Sequence, residues 1–301
     1  MTSPTDLART PADSPANAGS LTKADSPAND NALATRPIGV FDSGLGGLTV
    51  LQAINELLPN ESTVYFGDTG RTPYGTKSPD TIIKYSQQIS RFLLEKDVKM
   101  IVIACNTASA QAFEAVRSMV PVPVIEVITP GAEAAAIATV NQRIGIIGTR
   151  GTVNSGVYVR AVRAASHGDP VIIQQACPLF VGLAEEGWWD HDITSAIACE
   201  YLRPLKEAGI DTLILGCTHY PLLKLAIARV MGDKVRLINA GSKVAARVEA
   251  VLQDQGMLNP GLEPASHTFY TSDDTTQFQQ LGSAFLDRPV QAAGRVDIER
   301  Y

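Results

Sequence analysis

The stretch VKMIVIACNT, residues 98–107, is an apolar run followed by a small residue, a cysteine and polar residues. A second stretch of the same form, IDTLILGCTH, occupies residues 210–219. Each run has the length and composition of a buried β-strand, and the polar residues after each cysteine can begin a helix. The repeat predicts two related units, each with a cysteine at the carboxyl end of a strand. Open α/β sheets build their binding sites at that end.

Strands and helices alternate around both stretches. Near the first, the pattern predicts strands at 38–41, 63–66, 99–104 and 122–127 and helices at 48–58, 79–95 and 108–119. Near the second, it predicts helices at 131–139, 153–166 and 193–208 and strands at 143–148, 171–175, 212–215 and 235–239. The C-terminal stretch that follows is predicted to be mostly helical, with a strand at 267–271. This alternation is typical of parallel sheets covered by helices. The predicted fold class is α/β, with two similar doubly wound lobes, mainly parallel sheets and an active site in the cleft between them.

The chain is expected to cross between the lobes twice. The first α/β lobe is predicted to comprise residues 37–130 and 239–301, and the second residues 131–238. Residues 1–36 are rich in Ala, Ser, Thr, Pro, Asn and Asp, and such a segment buries too little apolar area to offset its ordering entropy. We predict a disordered N-terminal tail over residues 1–36. A regulatory arm that folds onto the body when an effector binds is the alternative.

Composition excludes several classes of protein. The formal net charge of -6 and the absence of a Lys/Arg cluster argue against nucleic acid as a partner. The apolar runs are too short to cross a bilayer. The four cysteines include no Cys-x-x-Cys pair, so no metal site is predicted. Free thiols without a signal peptide predict a cytoplasmic protein. We expect a homodimer, whose contact face the sequence does not give.

Two thiols that face each other across a cleft suit racemisation. This reaction removes a proton from one face of a carbon and returns a proton to the other face, so it needs a base and an acid on opposite sides. A free thiol, with a pKa of about 8.5, can serve as either. A helix that begins just beyond each cysteine would lower the thiol pKa and favour the thiolate. Cys177 and Cys199, which lack such surroundings, are predicted to be small core residues.

Polar residues near the two cysteines are candidates for assisting them. Asp42 ends the first strand and could orient a group or accept a proton near Cys105, and His219 could act as a base or stabilise the thiolate of Cys217. Hydroxyl and amide donors for a substrate carboxylate come from Ser43, Asn106, Thr107 and Thr218. Backbone N–H groups in the Tyr74-Gly75 turn add more donors.

Four segments, FDSGLGGLTVL (41–51), GDTGRTPYGTKS (67–78), IVIACNTASA (101–110) and LGCTHYPLL (215–223), resemble the glutamate racemases of bacterial cell-wall synthesis. The resemblance covers about residues 38–246. It implies cofactor-independent interconversion of L- and D-glutamate, with D-glutamate supplied to peptidoglycan. It also implies that Cys105 exchanges the proton of D-glutamate and Cys217 that of L-glutamate.

The resemblance extends to the other site residues. Asp42 and His219 would assist the two thiols, and the glutamate of an LAE-type stretch maps onto Glu185, with Glu186 as the second choice. The residues implied to contact substrate are Asp42, Ser43, Pro73, Tyr74, Gly75, Asn106, Thr107, Thr218 and His219.

Three other functions stay open. The nearest is a related enzyme, such as an aspartate or hydantoin racemase or a one-thiol decarboxylase, although two cysteines argue against one-thiol chemistry. The second is a catalytically inert protein that closes two lobes on an acidic amino acid. The third is a pyridoxal enzyme, which would need a Schiff-base lysine, and no lysine lies at the strand ends that carry these motifs.

Overall fold

The computed structural model describes residues 32–261, 263–286 and 288–301. The strands in these ranges are β1 (Ile38–Asp42), β2 (Thr63–Gly67), β3 (Met100–Ile103), β4 (Val124–Glu126), β5 (Arg143–Gly148), β6 (Val171–Ala176), β7 (Thr212–Gly216), β8 (Arg236–Ile238), β9 (His267–Thr271) and β10 (Gly294–Arg295). They form two sheets, ordered β10-β9-β2-β1-β3-β4 and β6-β5-β7-β8. Every strand pair in both sheets is parallel, as the α/β prediction requires.

Helices connect these strands. In chain order they are α1 (Leu48–Leu57), α2 (Pro79–Glu95), α3 (Asn106–Met119), α4 (Ile128–Ala138), α5 (Arg150–Ser155), α6 (Val157–Ala165), α7 (Leu179–Glu185), α8 (Asp192–Glu207), α9 (Lys224–Met231), α10 (Gly241–Asp254) and α11 (Thr275–Leu286). Short 3₁₀ turns lie at Thr69–Arg71, Tyr74–Thr76, Tyr220–Leu223 and Ile298–Arg300. No helix of the described residues is long and apolar enough to cross a membrane.

Both faces of the first sheet are buried. Side chains of successive strand residues point to opposite faces, and β1 supplies Val40 to one apolar cluster, with Leu48 and Leu51, and Phe41 to another, with Phe92. The four-stranded sheet is likewise covered by two clusters. Continuous apolar strands are therefore explained by burial on both sides, which confirms the doubly wound α/β fold.

The order of the strands decides which loops meet. In the first sheet β1 lies between β2 and β3, and Phe41 pairs with Ile103, so the residues after β1 and β3 leave the same edge side by side. In the second sheet Gly148 of β5 pairs with Gly216 of β7. The residues that come directly after these two glycines are therefore neighbours as well.

A buried lysine makes several contacts at the opposite end of the first sheet, just before β3 begins. Lys99 is fully buried, forms an ion pair with Glu61 at 2.5 Å and donates to the carbonyls of Ala34 and Met257. Burial lowers the pKa of Lys99, and Glu61 opposes that shift. Ala34, at 5% exposure, is part of the body rather than of a tail. Residues 32–36 of the predicted tail are thus ordered, and residues 1–31 lie outside the described residues.

Two predicted helices differ from the observed ones by more than a residue or two. The helix predicted at 131–139 begins at Ile128, because the carboxylate of Glu126 accepts the backbone N–H groups of Ile128 and Thr129. The helix predicted at 153–166 is two helices, α5 and α6, which Gly156 separates with a φ of +64°. Glycine adopts a positive φ without the steric cost that other residues meet. The prediction of one helix used the spacing of apolar residues, which does not take such a glycine into account.

The strands divide between the two sheets by their position in the chain, while the lobe boundaries themselves stay a prediction. The strands of residues 37–130 and 239–301 form the first sheet, and those of residues 131–238 form the second. How the connecting helices divide between the lobes stays a prediction.

The sequence reasoning missed α7, a helix of seven residues after Pro178 that carries Glu185.

Candidate active site

The two repeated cysteines meet in one cavity. Cys105 comes just after β3 of the first sheet, Cys217 comes just after β7 of the second, and both thiols are buried. The cavity is lined by Ser43, Thr72, Pro73, Tyr74, Gly75, Cys105, Asn106, Thr107, Thr149, Val181, Cys217, Thr218 and His219. Its free volume of about 20 Å³ is room for roughly one water. Entry of an amino acid therefore requires the two walls to separate.

Cys105 sits at the start of a helix and is nevertheless a weak acid. Its Sγ accepts the backbone N–H of Ala108 at 3.5 Å and lies 3.6 Å from Ser43 Oγ. Burial and the negative charge of Asp42 raise the pKa of Cys105 to about 12, although Ala108 and Ser43 favour the thiolate. The N–H at the helix start does lower this pKa, as expected, but removal of the thiolate from water outweighs that effect, so the thiolate is not favoured on balance. Cys105 is a protonated thiol at neutral pH.

Cys217 has an imidazole and a carboxylate behind it. His219 Nδ1 lies 3.8 Å from Cys217 Sγ, and His219 Nε2 lies 3.1 Å from Glu185 Oε1. Burial lowers the pKa of His219, but its hydrogen bonds with Cys217 and Glu185 and the nearby negative charges raise it on balance to about 10. His219 is therefore an imidazolium at neutral pH. Glu186, the second choice from the sequence, is exposed beyond the end of α7.

No α-helix begins directly after Cys217, contrary to the sequence expectation. The 3₁₀ turn Tyr220–Leu223 comes first, and α9 begins at Lys224. Pro221 fits the first turn of a helix but has no N–H to offer. The two cysteines thus share a place at a strand end but differ in the segment that comes next, a helix in one case and a 3₁₀ turn in the other.

Asp42 supports the site from behind the cavity wall. Its Oδ2 accepts the backbone N–H groups of Gly44 and Gly47, each at 3.1 Å, and the Thr218 hydroxyl is 3.5 Å from its Oδ1. Asp42 is fully buried. A Cβ on Gly46 would overlap the Thr218 hydroxyl and the His219 ring, so the glycine lets the loop after β1 approach the loop of Cys217.

The remaining predicted contact residues come from two segments. Pro73, Tyr74 and Gly75 form one wall, and Asn106 and Thr107 begin α3 on another. Tyr158 donates to Asn106 Oδ1 at 2.6 Å and so fixes that amide. Each predicted contact residue except Asp42 lines the cavity, and the roles of all of them stay predictions.

Sequence reasoning missed Thr149, Thr152 and Val181. The hydroxyls of Thr107, Thr149 and Thr152 lie within 2.9–3.2 Å of one another, and Thr149 lines the cavity. Thr149 comes directly after β5, so the strand-end rule that selected the cysteines also points to it. Val181 lies on the missed helix α7, and the sequence offers no comparable signal for it.

The other two cysteines differ from each other. Cys177 is buried, as predicted, and burial raises its pKa. Cys199 is exposed on α8, so its predicted place in the core is wrong; its helix buries Ala198 and Leu202 instead. Within the described residues, no three His, Cys, Asp or Glu side chains come together as a metal site.

A larger cavity, of about 610 Å³, lies along β9 and residues 288–294. It contains none of the predicted site residues. Volume alone would thus select a groove that contains His267 but neither of the two cysteines, whereas the pair of thiols and their charged neighbours select the small cavity.

Comparisons with known proteins agree with the geometry. The model of the Asp/Glu/Hydantoin racemase family matches residues 38–248. Glutamate racemase from Neisseria meningitidis serogroup A is 48% identical over 264 residues, which are 87% of this chain and 97% of that protein. Glutamate racemase from Geobacter metallireducens is 46% identical, over 88% of this chain and 97% of that protein.

A solved structure gives the same result. The crystal structure of glutamate racemase from Francisella tularensis in complex with D-glutamate has a TM-score of 0.83 and 38% identity, and the match covers 89% of this chain and all of that one. Matches of this identity and coverage show common ancestry rather than a shared fold alone. The chain therefore belongs to the Asp/Glu/Hydantoin racemase family and, within it, to the glutamate racemases.

Proposed function

We propose that this chain interconverts L- and D-glutamate without a cofactor, with Cys105 and Cys217 as the two proton-transfer groups. The observation that carries the proposal is that two thiols from the strand ends of two different sheets line one cavity. A planar carbanion held between them can be protonated from either side. Each transfer of this kind by a positioned acid or base contributes roughly 10²–10⁴-fold to the rate.

The proposed reaction of L-glutamate begins at Cys217. Its thiolate takes the α-proton, and the electron pair remains on the α-carbon, which becomes planar. Cys105, whose burial keeps it protonated, gives its proton to the opposite face. The product is D-glutamate, and the two sulfurs have exchanged protonation states. Reaction of D-glutamate runs the same steps backwards, with Cys105 as the base.

The surroundings of each thiol support these roles. The imidazolium of His219 faces the sulfur of Cys217, and Glu185 behind it holds the positive charge. The thiolate of Cys105, when it forms, is stabilised by the Ala108 N–H and by Ser43. We assign Asp42 to orienting the loop after β1, because its carboxylate is already occupied by two N–H groups of that loop.

The substrate carboxylates have neutral donors available. Ser43, Asn106, Thr107 and Thr218 line the cavity with hydroxyl and amide groups, and the Tyr74-Gly75 turn adds backbone N–H groups. Such donors bind an anion without adding a positive charge that would compete with the proton transfer.

The wider setting of the reaction rests on the family alone. We propose that the D-glutamate enters peptidoglycan, that the enzyme works in the cytoplasm and that it is a homodimer. The geometry of the cavity bears on none of these three statements.

The test is incubation of purified protein with each glutamate enantiomer in D2O, followed by circular dichroism and NMR. Variants Cys105→Ala and Cys217→Ala are compared with Cys199→Ala, which removes an exposed thiol far along α8. Racemisation with deuterium at the α-carbon should fall by about 10³-fold or more in the first two variants and persist in the third.

Two other results would change the proposal. Exchange with aspartate but not with glutamate would keep the mechanism and move the substrate to another acid. Binding of glutamate without loss of the α-hydrogen, with unchanged affinity in Cys105→Ala, would replace the enzyme by an inert binding protein.

A further inference from the structure

A network of hydrogen bonds ties the loop that carries Tyr74 and Gly75 to a distant turn, Ile298–Arg300. Arg71 is its centre: Nε donates to both oxygens of Asp68 at 3.0 and 2.8 Å, and Nη1 donates to Gln88 at 2.6 Å and to Glu299 at 3.0 Å. The guanidinium also stacks on Tyr85, with its carbon 3.8 Å from the ring centre. One side chain therefore joins the loop, α2 and the distant turn.

The loop side of the network reaches the cavity wall. Asp68 is fully buried and accepts, besides Arg71, the hydroxyls of Tyr74 and Ser272. Burial raises the pKa of Asp68, whereas Arg71, Tyr74 and Ser272 favour its charged form. An unpaired carboxylate in this place would be costly. Loss of the Arg71 contact would therefore disturb Tyr74, which lines the cavity.

The other side of the network is anchored to α2. Gln88 lies 3.4 Å from the second oxygen of Glu299, and Arg91 donates to the carbonyl of Tyr301 at 2.9 Å. The Tyr301 ring packs edge-on against Phe92 at 5.6 Å, and its hydroxyl donates to Glu95 at 2.7 Å. The turn is thus fixed on a long helix and presents Glu299 to Arg71.

We infer that Arg71 and Glu299 are positioning residues for substrate binding: through Asp68 and Tyr74 they hold the Tyr74-Gly75 turn at the distance that its backbone N–H groups require. This inference rests on the proposed function, in which that turn binds a substrate carboxylate. Little slack exists there, because a Cβ on Gly75 would already overlap Thr149 on the opposite wall. A shift of the turn by a fraction of an ångström would weaken binding of both enantiomers.

The variants Glu299→Gln and Arg71→Lys test the network. The first removes the charge that Arg71 meets, and the second keeps the positive charge but loses the planar fork. Lys84→Gln is the matched control, because Lys84 contacts Glu299 at 3.6 Å on its exposed side and does not touch Arg71. The readouts are KM and kcat for both enantiomers, thermal stability, and hydrogen exchange at the amides of Tyr74 and Gly75.

Positioning predicts a specific split between these readouts. In Glu299→Gln the KM for L- and D-glutamate should rise together by about three- to tenfold, with kcat changed less than about twofold. Exchange at Tyr74 and Gly75 should accelerate. Arg71→Lys should show the same pattern with a larger rise, and Lys84→Gln should resemble the wild type.

Several outcomes would overturn the inference. A lowered melting temperature with unchanged KM and unchanged exchange at the turn would make the network merely structural. An equal rise of KM in Lys84→Gln would show that the route does not pass through Arg71. If the wild-type protein does not racemise glutamate, the proposed function fails, and the exchange rates alone then decide whether these contacts hold the turn.

Discussion

The two halves of the cavity place a cysteine sulfur in equivalent positions but surround it with different groups. Each thiol lies just beyond a buried parallel strand. Cys105 has a helix start and a serine beside it, and burial leaves it protonated. Cys217 has an imidazolium and a carboxylate beside it. The fold therefore places the two thiols symmetrically, while the side chains around them give the two positions different charges.

That asymmetry has a chemical meaning for a racemase. A two-base reaction needs one base and one acid at any moment, and two identical thiol sites would have no preferred arrangement. Here the positive charge lies behind Cys217, whereas burial, together with the negative charge of Asp42, raises the pKa of Cys105. In the proposed mechanism, this arrangement prepares the free enzyme to take the proton of L-glutamate. In that mechanism the reaction in the other direction must first meet the cost of ionising Cys105.

Among changes that leave both thiols in place, the largest effect should come from removing the imidazole. In His219→Gln the sulfur of Cys217 loses its charged neighbour, so kcat/KM should fall by roughly 10²–10³-fold. The fall must be equal for both enantiomers, because they have the same free energy in water. The α-deuterium isotope effect should increase for L-glutamate more than for D-glutamate, since Cys217 is the base for the former in the proposed mechanism.

A matched variant serves as the control for this prediction. His191→Gln removes an exposed histidine that stacks on Trp188 and has no contact with the cavity, so it should leave kcat/KM unchanged. Isotope effects that rise equally for both enantiomers in His219→Gln would contradict the assignment of His219 to the Cys217 half.

The sequence predicted the positions of the site residues better than it predicted their protonation states. Strand ends and their cysteines are indicated by local apolar runs, which is why Cys105, Cys217 and most cavity residues were found. Glu185 was found only by family resemblance, because its helix α7 is too short to show a period. The pKa of Cys105 could not be found at all. It depends on burial by residues from many segments, and the local signal, a helix start, pointed the other way.

The carboxylate behind the imidazole should have a middle-sized effect that depends on pH. Removing Glu185 lowers the pKa of His219, because one of the hydrogen bonds that raise it to about 10 is lost. If His219 must be charged, activity is lost as the pH rises through its pKa. In Glu185→Gln the alkaline limb of kcat/KM should therefore move to lower pH by about one unit.

A neighbouring carboxylate provides the control. Glu186→Gln removes the exposed residue next to Glu185, and its pH profile should match the wild type. Thermal unfolding gives an independent check of the sign. The raised pKa of His219 stabilises the fold below its ordinary value of 6.5, and this contribution is lost as the pH rises through about 10. The stability gap between wild type and Glu185→Gln should close above that pH.

The smallest effect should come from a residue beside Cys105, because several weak hydrogen-bond donors share the stabilisation of its thiolate. Ser43→Ala removes one hydroxyl at 3.6 Å, but the Ala108 N–H still faces the sulfur. A single neutral hydrogen bond of this kind contributes about 1 kcal/mol, so kcat/KM should fall by roughly three- to tenfold. Ser109→Ala is the control, because its hydroxyl donates to the carbonyl of Ile103 at the end of β3 and does not contact the sulfur. A fall in Ser43→Ala as large as that in His219→Gln would mean that both thiols depend on one dominant partner, and the asymmetry of the two halves would be lost.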